Sequence, residues 1–489
     1  MAASKASGDP KRAPLSKGSE ERADGADREM LGGRRMSDLE ALLWNVDKDP
    51  YLSSNFGSVS LLASSPDPGR FRRRMLQAVS RIPRLHQRVV PALGRMAPPE
   101  WQDDPDFDID RHVRHLALPE PGNERQLFDL AAQFVQDPID RTRPLWEFLL
   151  IDGLPGGRAA LIQKMHHTIT DGEGGIRLSE QFIDVTPDAP DVEDTIIVTE
   201  ATAPGSLLGT ATETFGHGVS RTLGIAHRSI GLAADTALHP THLATMGTDA
   251  VETGRSVLRQ LTVTDQHHSA LWDEPTLGRR LEVLDVSFDD ARLAAKSLGG
   301  SLNDLFVTAS AAAAGAYHRD LGHPVDELRM AMPVSTRRDR SAGGNSFVPT
   351  RVLMPTGDLD PTTRFAMVHE ALGRTKSERA IGLVSGLAGM VNLLPTSVVV
   401  RIARQQAETV DFTTSNVRAA PFDLYIAGAH LEATYPLGPL AGCAFNATVM
   451  SYRGWLNVGL HLDTGLVTEP ELLRSHLVEA FAELIAAGS

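Results

Sequence analysis

The chain has 489 residues, and 48 Lys and Arg against 62 Asp and Glu give a formal net charge of −14 at pH 7. This length suits two or three domains, and a hydrophobic fraction of 42% is ordinary for a globular protein. The acidic balance argues against a nucleic-acid partner, which requires a basic face. The single cysteine, Cys443, excludes an intramolecular disulfide and a cysteine-based zinc or iron–sulfur site.

The first 36 residues are mostly charged, small or turn-forming. They lack the apolar run of a secretory signal peptide. Because they can bury little apolar surface, we expect residues 1–36 to be a disordered tail. Its basic residues suit an acidic membrane surface, but a solvated tail is the favoured interpretation.

Helices and strands alternate along the first half of the body. Residues 36–46 place Leu39, Leu42 and Leu43 at helical spacing, with Ser37 as N-cap and Glu40 three residues later. The same criteria predict further strands and helices in this half. The predicted strands are 56–62, 146–151 and 159–165, and the predicted helices are 71–82, 126–136 and 176–183.

A second half repeats this alternation after a long crossover rich in Gly, Ala and Thr. The predicted strands are 281–288, 328–334, 346–354, 419–428, 442–451 and 456–462, and the predicted helices are 289–297, capped by an Asp, 302–321 and 469–487. Since both halves mix strands and helices, the sequence predicts an α/β protein of mixed α+β type. We place one domain at 37–186, the crossover at 187–280 and a second domain at 281–489.

Between Arg379 and Arg401 the chain carries 21 residues without a charge. This length fits a membrane-spanning helix, but Asn392, Pro395 and several Gly, Ser and Thr residues dilute its hydrophobicity. A buried helical hairpin is the favoured interpretation, and an interfacial element that dips into a bilayer surface is the alternative. The amphipathic stretch 217–238 leaves the same two interpretations open, with the buried one favoured.

One short motif indicates chemistry: His166-His-Thr-Ile-Thr-Asp-Gly172, at the end of an apolar strand. A hydroxyl becomes a good nucleophile when its proton is removed, and histidine has a pKa suited to that work. Adjacent side chains diverge on leaving a strand, so only one of the two histidines faces a given site. Asp171 can form a buried ion pair that fixes the loop, and Gly172 permits close backbone approach. The pattern therefore favours acyl transfer to a hydroxyl.

Other interpretations of these histidines are weaker. Two adjacent histidines face apart, and no third ligand follows at a suitable spacing, so we expect no metal site. The dipeptide His267-His268 lacks Asp and Gly at the required offsets, and we predict no site there. The alternative for His166 and His167 is that they are ordinary histidines at the end of a strand, without a catalytic role.

The motif resembles the HHxxxDG motif of condensation-type acyltransferases, a superfamily that includes chloramphenicol acetyltransferase. An ordered set of further blocks resembles one family within it, the bacterial wax ester synthases/diacylglycerol acyltransferases, over about residues 36–487. Where the family commonly has Asn-Val-Pro-Gly-Pro, this chain has Asn416-Val-Arg-Ala-Ala-Pro421. The matching blocks are Pro144-Leu-Trp-Glu147, Asn303-Asp304, Pro333-Val-Ser-Thr-Arg337 with Gly344-Asn345, Thr414-Ser-Asn-Val417, Gly438-Pro439, Ser451-Tyr-Arg-Gly454 and Asp463.

The resemblance implies two chloramphenicol-acetyltransferase-like domains with a central channel between them. It implies transfer of a fatty acyl group from acyl-CoA to diacylglycerol or a long-chain alcohol, with acyl-CoA as substrate and without cofactor or metal. The single cysteine fits a reducing cytosolic setting, and we predict a cytoplasmic protein, with peripheral contact to the inner membrane or lipid droplets as an open option. Two alternatives remain: a superfamily member with another donor or acceptor, and a catalytically inactive lipid-binding relative.

The resemblance also implies roles for individual residues. His167 is the general base, His166 supports it, and Asp171 is structural. Its expected partner is Arg88, with Arg337 as second choice. Asn303 and Asp304 are expected to hold the channel, although a helix cap explains Asn303 nearly as well. The candidates for lining the channel are Trp146, for which a core position is favoured, Ser415 and Asn416.

Overall fold

The computed structural model describes residues 34–92, 98–170, 172–193, 195, 197, 268–335, 347–377 and 395–489. Several predictions therefore lie outside the described residues. These are the tail up to residue 33, the stretch 217–238, the uncharged segment as far as residue 394, and the positions of Asp171 and Arg337.

The strands of the described residues form two large sheets and a two-stranded ribbon. Their bounds are β1 (Asn55–Leu62), β2 (Gln87–Val90), β3 (Glu100–Asp103), β4 (Val113–Ala117), β5 (Trp146–Asp152), β6 (Ala159–His166), β7 (Ile183–Asp184), β8 (Arg279–Ser287), β9 (Glu327–Ser335), β10 (Phe347–Pro355), β11 (Phe412–Arg418), β12 (Tyr425–Ile426), β13 (Ala429–Leu437), β14 (Phe445–Tyr452) and β15 (Trp455–Asp463). The first sheet has the order β4-β5-β6-β1-β13-β12-β7 and the second β10-β9-β11-β14-β15-β8.

Helices accompany both sheets, so the predicted mixed α/β class is confirmed. In the described residues they are α1 (Asp38–Val46), α2 (Pro68–Arg81), α3 (Ile109–His112), α4 (Glu124–Gln136), α5 (Gly172–Ser179), α6 (Phe288–Ser297), α7 (Leu302–Asp320), α8 (Pro361–Ser377), α9 (Thr396–Ala407) and α10 (Pro470–Ala487). None of the helices in this part of the chain combines the length and the apolar character needed to cross a bilayer.

The first residues of two helices show how the local sequence caps them. At α1 the Ser37 hydroxyl accepts from the Glu40 N–H at 3.2 Å, and the Glu40 carboxylate accepts from the Ser37 N–H at 2.7 Å. This is the predicted capping box. The Asp cap predicted for the helix at 289–297 is wrong. Ser287 caps α6, and Asp289 lies in the first turn, where a carboxylate favours the helix dipole.

A strand from the second half of the chain completes the first sheet. β13 pairs antiparallel with β1, from Gly57 opposite Leu437 to Leu62 opposite Leu431, and β6 pairs with the other edge of β1. The strand predicted at 419–428 is wrong for most of its length, since β11 ends at Arg418 and β12 covers two residues. The domain boundaries predicted at 186 and 281 remain a prediction. The first sheet contains strands from the chain before residue 186 and from the chain after residue 281.

The two sheets come into close contact where β15 passes β13. A Cβ atom on Gly459 would lie 1.9 Å from the carbonyl oxygen of Pro436, so only glycine fits there. Nearby, the Tyr435 hydroxyl donates to the Asp285 carboxylate at 3.0 Å, which joins β13 to β8. Burial, followed by the charge of Asp285, raises the pKa of Tyr435 well above its ordinary value. The tyrosine therefore stays protonated as the donor.

We expect Gly459→Ala to lower the free energy of unfolding by about 1–3 kcal/mol, because the added methyl group overlaps Pro436. Gly373→Ala is the control: its Cβ would meet no atom within 4 Å on the exposed face of α8. There alanine should stabilise the helix by about 0.5–1 kcal/mol. Urea titration followed by circular dichroism measures both, and equal effects would contradict the close approach of the sheets.

Candidate active site

The histidine motif begins where β6 leaves the first sheet. His166 is the last residue of β6 and lies opposite Asn55 of β1. The His167 N–H then donates to the Ser54 carbonyl at 3.0 Å, and the Ile169 N–H donates to the His166 carbonyl at 2.9 Å. The backbone of both histidines is therefore fixed by the sheet and by the turn that follows it.

The two histidine side chains lie in different surroundings, as their adjacent positions predict. His166 is 1% exposed, and its ring contacts the edge of Trp44 with centroids 6.2 Å apart. His167 is half-buried, and its ring lies tilted over Phe56 with centroids 4.5 Å apart. Of the pair, His167 is therefore the more exposed histidine.

Hydrogen bonds define the state of the buried ring. The Thr168 N–H donates to the Nδ1 atom of His166 at 3.1 Å, and the Thr168 hydroxyl lies 2.9 Å from the same atom. Because Nδ1 accepts, the neutral ring carries its proton on Nε2. Nε2 faces the Oδ2 atom of Asp47 at 3.3 Å.

Asp47 is a site residue that sequence reasoning missed. It follows the last turn of α1, and its Oδ1 atom accepts from the Ser54 N–H at 2.8 Å. Burial raises the pKa of Asp47, but the contact with His166, the hydrogen bond from Ser54 and the charge of Arg141 together lower it below its ordinary value. The carboxylate is therefore ionised at neutral pH. No sequence pattern links position 47 to the motif, because only the fold joins them.

The helix after the motif starts earlier than predicted. The three glycines at 172, 174 and 175 are poor helix formers, so the sequence indicated a helix only from 176. In the structure α5 begins at Gly172, and a Cβ atom on Gly175 would lie 3.5 Å from Met165 and 3.6 Å from Phe56. A methyl group at position 175 would make ordinary van der Waals contacts with these side chains, so α5 lies next to β6 and β1 without requiring glycine there.

The second sheet meets the motif through β11, which lies against α5. β11 carries Ser415, which is half-buried, and Asn416, which is exposed. The Asn416 side-chain amide donates to the Asn303 side-chain oxygen at 3.4 Å. The structure therefore brings Ser415, Asn416 and Asn303 together, on elements that adjoin the helix after the motif.

Asp304 belongs to the start of α7. Its carboxylate accepts from the Ser301 N–H at 2.8 Å, and its own N–H donates to the Ser301 hydroxyl at 3.3 Å. The same carboxylate lies 2.9 Å from Nδ1 of His369 on α8. These contacts make Asp304 a helix-capping residue that also ties α7 to α8.

The remaining candidates lie in separate surroundings. Trp146 is fully buried, donates from its indole to the Leu85 carbonyl at 2.8 Å and stacks on His112, so core packing accounts for it. Arg88 is half-buried on β2, but both its proposed partner Asp171 and the alternative Arg337 lie outside the described residues. His268, of the second dipeptide, contacts the Arg329 guanidinium at 3.2 Å. Within the described ranges, no group of three or more His, Cys, Asp and Glu is arranged to hold a metal ion.

Comparison with protein families identifies the class of enzyme to which this site belongs. Residues 36–306 match the wax ester synthase/diacylglycerol acyltransferase catalytic domain, and residues 343–485 match the C-terminal domain of the same proteins. The chain belongs to this family. It is therefore an acyltransferase, and the resemblance read from its motifs is confirmed.

Individual relatives and solved structures resemble this acyltransferase over most of its length. A putative diacylglycerol O-acyltransferase of Mycobacterium tuberculosis is 31% identical over 459 residues, which cover 92% of each chain. The wax ester synthase/diacylglycerol acyltransferase of Marinobacter aquaeolei has the same fold, with a TM-score of 0.61 at 19% identity over 93% of this chain and 99% of the other. A starter condensation domain of rhizomide synthetase, solved in complex with C8-CoA and Leu-SNAC, gives a TM-score of 0.53 at 14% identity over 93% and 94%.

We expect Asp304→Ala to lower the free energy of unfolding by about 0.5–2 kcal/mol, because the first turn of α7 loses its capping carboxylate. Asn303→Ala keeps the cap and should change stability by less than about 0.5 kcal/mol. Thermal unfolding of both variants checks the pair. Unaltered stability in Asp304→Ala together with a loss of transfer would instead assign Asp304 to the substrate channel.

Proposed function

We propose that this enzyme transfers a fatty acyl group from acyl-CoA to the hydroxyl of diacylglycerol or a long-chain alcohol, with His167 as the general base. One observation carries the proposal: of the two motif histidines, His167 is partly exposed and His166 is buried. The family, a relative named diacylglycerol O-acyltransferase and the C8-CoA held by a distant structural neighbour support these substrates.

The reaction follows from the chemistry of the accessible ring. A ring nitrogen of His167 takes the proton of the acceptor hydroxyl as the oxygen attacks the thioester carbonyl. The tetrahedral intermediate then collapses, the carbon–sulfur bond breaks, and the CoA thiolate leaves and takes the proton from His167. The products are an ester and free CoA, and the histidine returns to its neutral state. This sequence of steps requires no covalent acyl-enzyme, cofactor or metal.

His166 is unsuited to the same task. Thr168 donates to its Nδ1 atom, and its Nε2 atom faces the Asp47 carboxylate, so neither nitrogen is directed at a substrate. The ring is also buried. We propose that His166 supports the site structurally.

Acceptor chemistry also suggests where the enzyme acts. Diacylglycerols and long-chain alcohols partition into bilayers, since each buried CH₂ group contributes about 0.8 kcal/mol. We propose that the enzyme meets its acceptor from the cytoplasm, at the surface of the inner membrane or of lipid droplets. Acyl-CoA, which carries charged phosphates, reaches the site from water.

Substitution of His167 tests this function. We expect His167→Ala to lower kcat/KM about 10²- to 10⁴-fold with palmitoyl-CoA and dipalmitoylglycerol or hexadecanol, because the hydroxyl keeps its proton. His268→Ala, in the second histidine dipeptide, is the matched control and should retain full activity. Release of CoA thiol and chromatography of the lipid product measure transfer.

The same assay separates the rival functions. Full activity in His167→Ala with every acceptor would refute the general-base role. Transfer to small alcohols alone would favour another acceptor class. Binding of lipid without transfer by the unaltered protein would identify a catalytically inactive lipid-binding relative.

A further inference from the structure

A carboxylate from outside the motif contacts the motif's buried histidine. We infer that Asp47 is a positioning residue that holds both histidines of the motif and fixes the ring orientation of His166. The inference rests on the proposed role of His167, because Asp47 contacts His166 and reaches His167 only through Ser54.

The first contact runs through the His166 ring. Thr168 donates to Nδ1, so the neutral ring presents an N–H at Nε2, and the ionised Asp47 carboxylate at 3.3 Å is an acceptor only. A ring nitrogen's state is set by the partner of the other nitrogen. Thr168 therefore fixes the tautomer of His166, and the Asp47 carboxylate beside Nε2 favours one orientation of the ring.

The second contact runs through Ser54 to His167. The other carboxylate oxygen of Asp47 accepts from the Ser54 N–H at 2.8 Å, and the Ser54 carbonyl accepts from the His167 N–H at 3.0 Å. One carboxylate is therefore connected to both histidines, one through its ring and one through its backbone. Any shift of Asp47 moves the two residues together.

Neighbouring aromatic and basic groups keep the carboxylate in place. The Arg141 guanidinium lies 3.4 Å above the Trp44 ring, and its Nη1 atom is 3.8 Å from the Oδ2 atom of Asp47. Trp44 in turn packs edge-on against His166. The side chains of Asp47 and His166 are 14% and 2% exposed. Water competes little for these contacts, so their electrostatic strength is high.

Asp47→Asn tests the inference with little change in shape. Ser54 and His166 face different oxygens of Asp47, and asparagine replaces one of these oxygens by an NH₂ group. One of the two N–H groups would then face another donor. We expect kcat to fall about 10- to 100-fold, since a catalytic group displaced by a fraction of an ångström loses its alignment. KM for acyl-CoA should change by less than about 2-fold. Asp47→Glu keeps both acceptors and should recover part of kcat.

Asp49→Asn is the matched control, two residues further along the same loop. It removes the same charge, but Asp49 accepts from the Tyr51 N–H at 3.1 Å and pairs with Arg404 at 2.8 Å, and these contacts involve neither histidine. We expect its kcat to remain that of the unaltered enzyme. Thermal unfolding of each variant separates loss of folded protein from loss of alignment.

A ¹⁵N spectrum of the histidine rings gives a readout that a merely structural role would not move. In the unaltered enzyme the His166 resonances, assigned by their absence in His166→Gln, should show an N–H at Nε2. Asp47→Asn keeps the Thr168 donor at Nδ1 but removes the carboxylate from the Nε2–H, so the Nε2 resonance should shift. If Asp47→Asn does not fold, Asp47→Glu carries the test: a reduced kcat with a shifted Nε2 resonance supports the inference, and an unchanged kcat with a shifted resonance overturns it.

The outcomes separate this inference from the proposed function. Loss of transfer in His167→Ala with unchanged kcat in Asp47→Asn overturns the role of Asp47 and leaves the proposed function standing. Full transfer in both variants overturns the role of His167 and this inference with it. An unshifted Nε2 resonance of His166 in Asp47→Asn overturns the contact between Asp47 and His166 even if kcat falls.

Discussion

The pairing of β13 with β1 is the interaction on which the rest of the structure depends. β1 lies in the middle of the first sheet, with β6 on one side and β13 on the other. β6 ends in the histidine motif, and β13 leads through Pro439 to the strands of the second sheet. The β13–β1 hydrogen bonds therefore determine how the second sheet approaches the motif, including the contact between β11 and α5.

Burial gives two chemically identical side chains different surroundings. His166 and His167 are neighbours in sequence, yet one ring is enclosed between a carboxylate and a threonine and the other lies half-buried over Phe56. Enclosure costs His166 its freedom to exchange protons with a substrate. Its contacts fix the end of the strand, and in the proposed mechanism this rigidity aligns the neighbouring His167.

Local signals in the sequence were sufficient for some of this architecture. The capping box of α1 and the apolar strand that ends at the histidines depend on neighbouring residues, and both were predicted. The confirmed family came from short blocks in a constant order. β11 was missed because Phe412-Thr-Thr-Ser-Asn-Val-Arg418 lacks apolar alternation, and the strand is held by its neighbours β14 and β9 instead. β13 was missed partly because of Pro436, which is unusual within a strand.

The site was predictable only where its residues are adjacent in sequence. The motif itself is local, and the divergence of its two histidines follows from strand geometry. Asp47 and Arg141 reach His166 and Trp44 from distant positions, and no spacing rule joins them. Likewise Asn303 and Asn416 were each identified from blocks of the family. Their mutual hydrogen bond spans 113 positions and follows from the fold alone.

The same strand exchange has a consequence for how the protein is made. The hydroxyls of Ser60 and Thr434 lie 3.1 Å apart across β1 and β13, although 374 positions separate them in the chain. During synthesis, one edge of β1 lacks its partner β13 until nearly the whole polypeptide has left the ribosome. Contacts of such long range slow folding, and an open strand edge invites pairing with other chains. The first sheet of this acyltransferase therefore stays incomplete, with an open edge, for most of its translation.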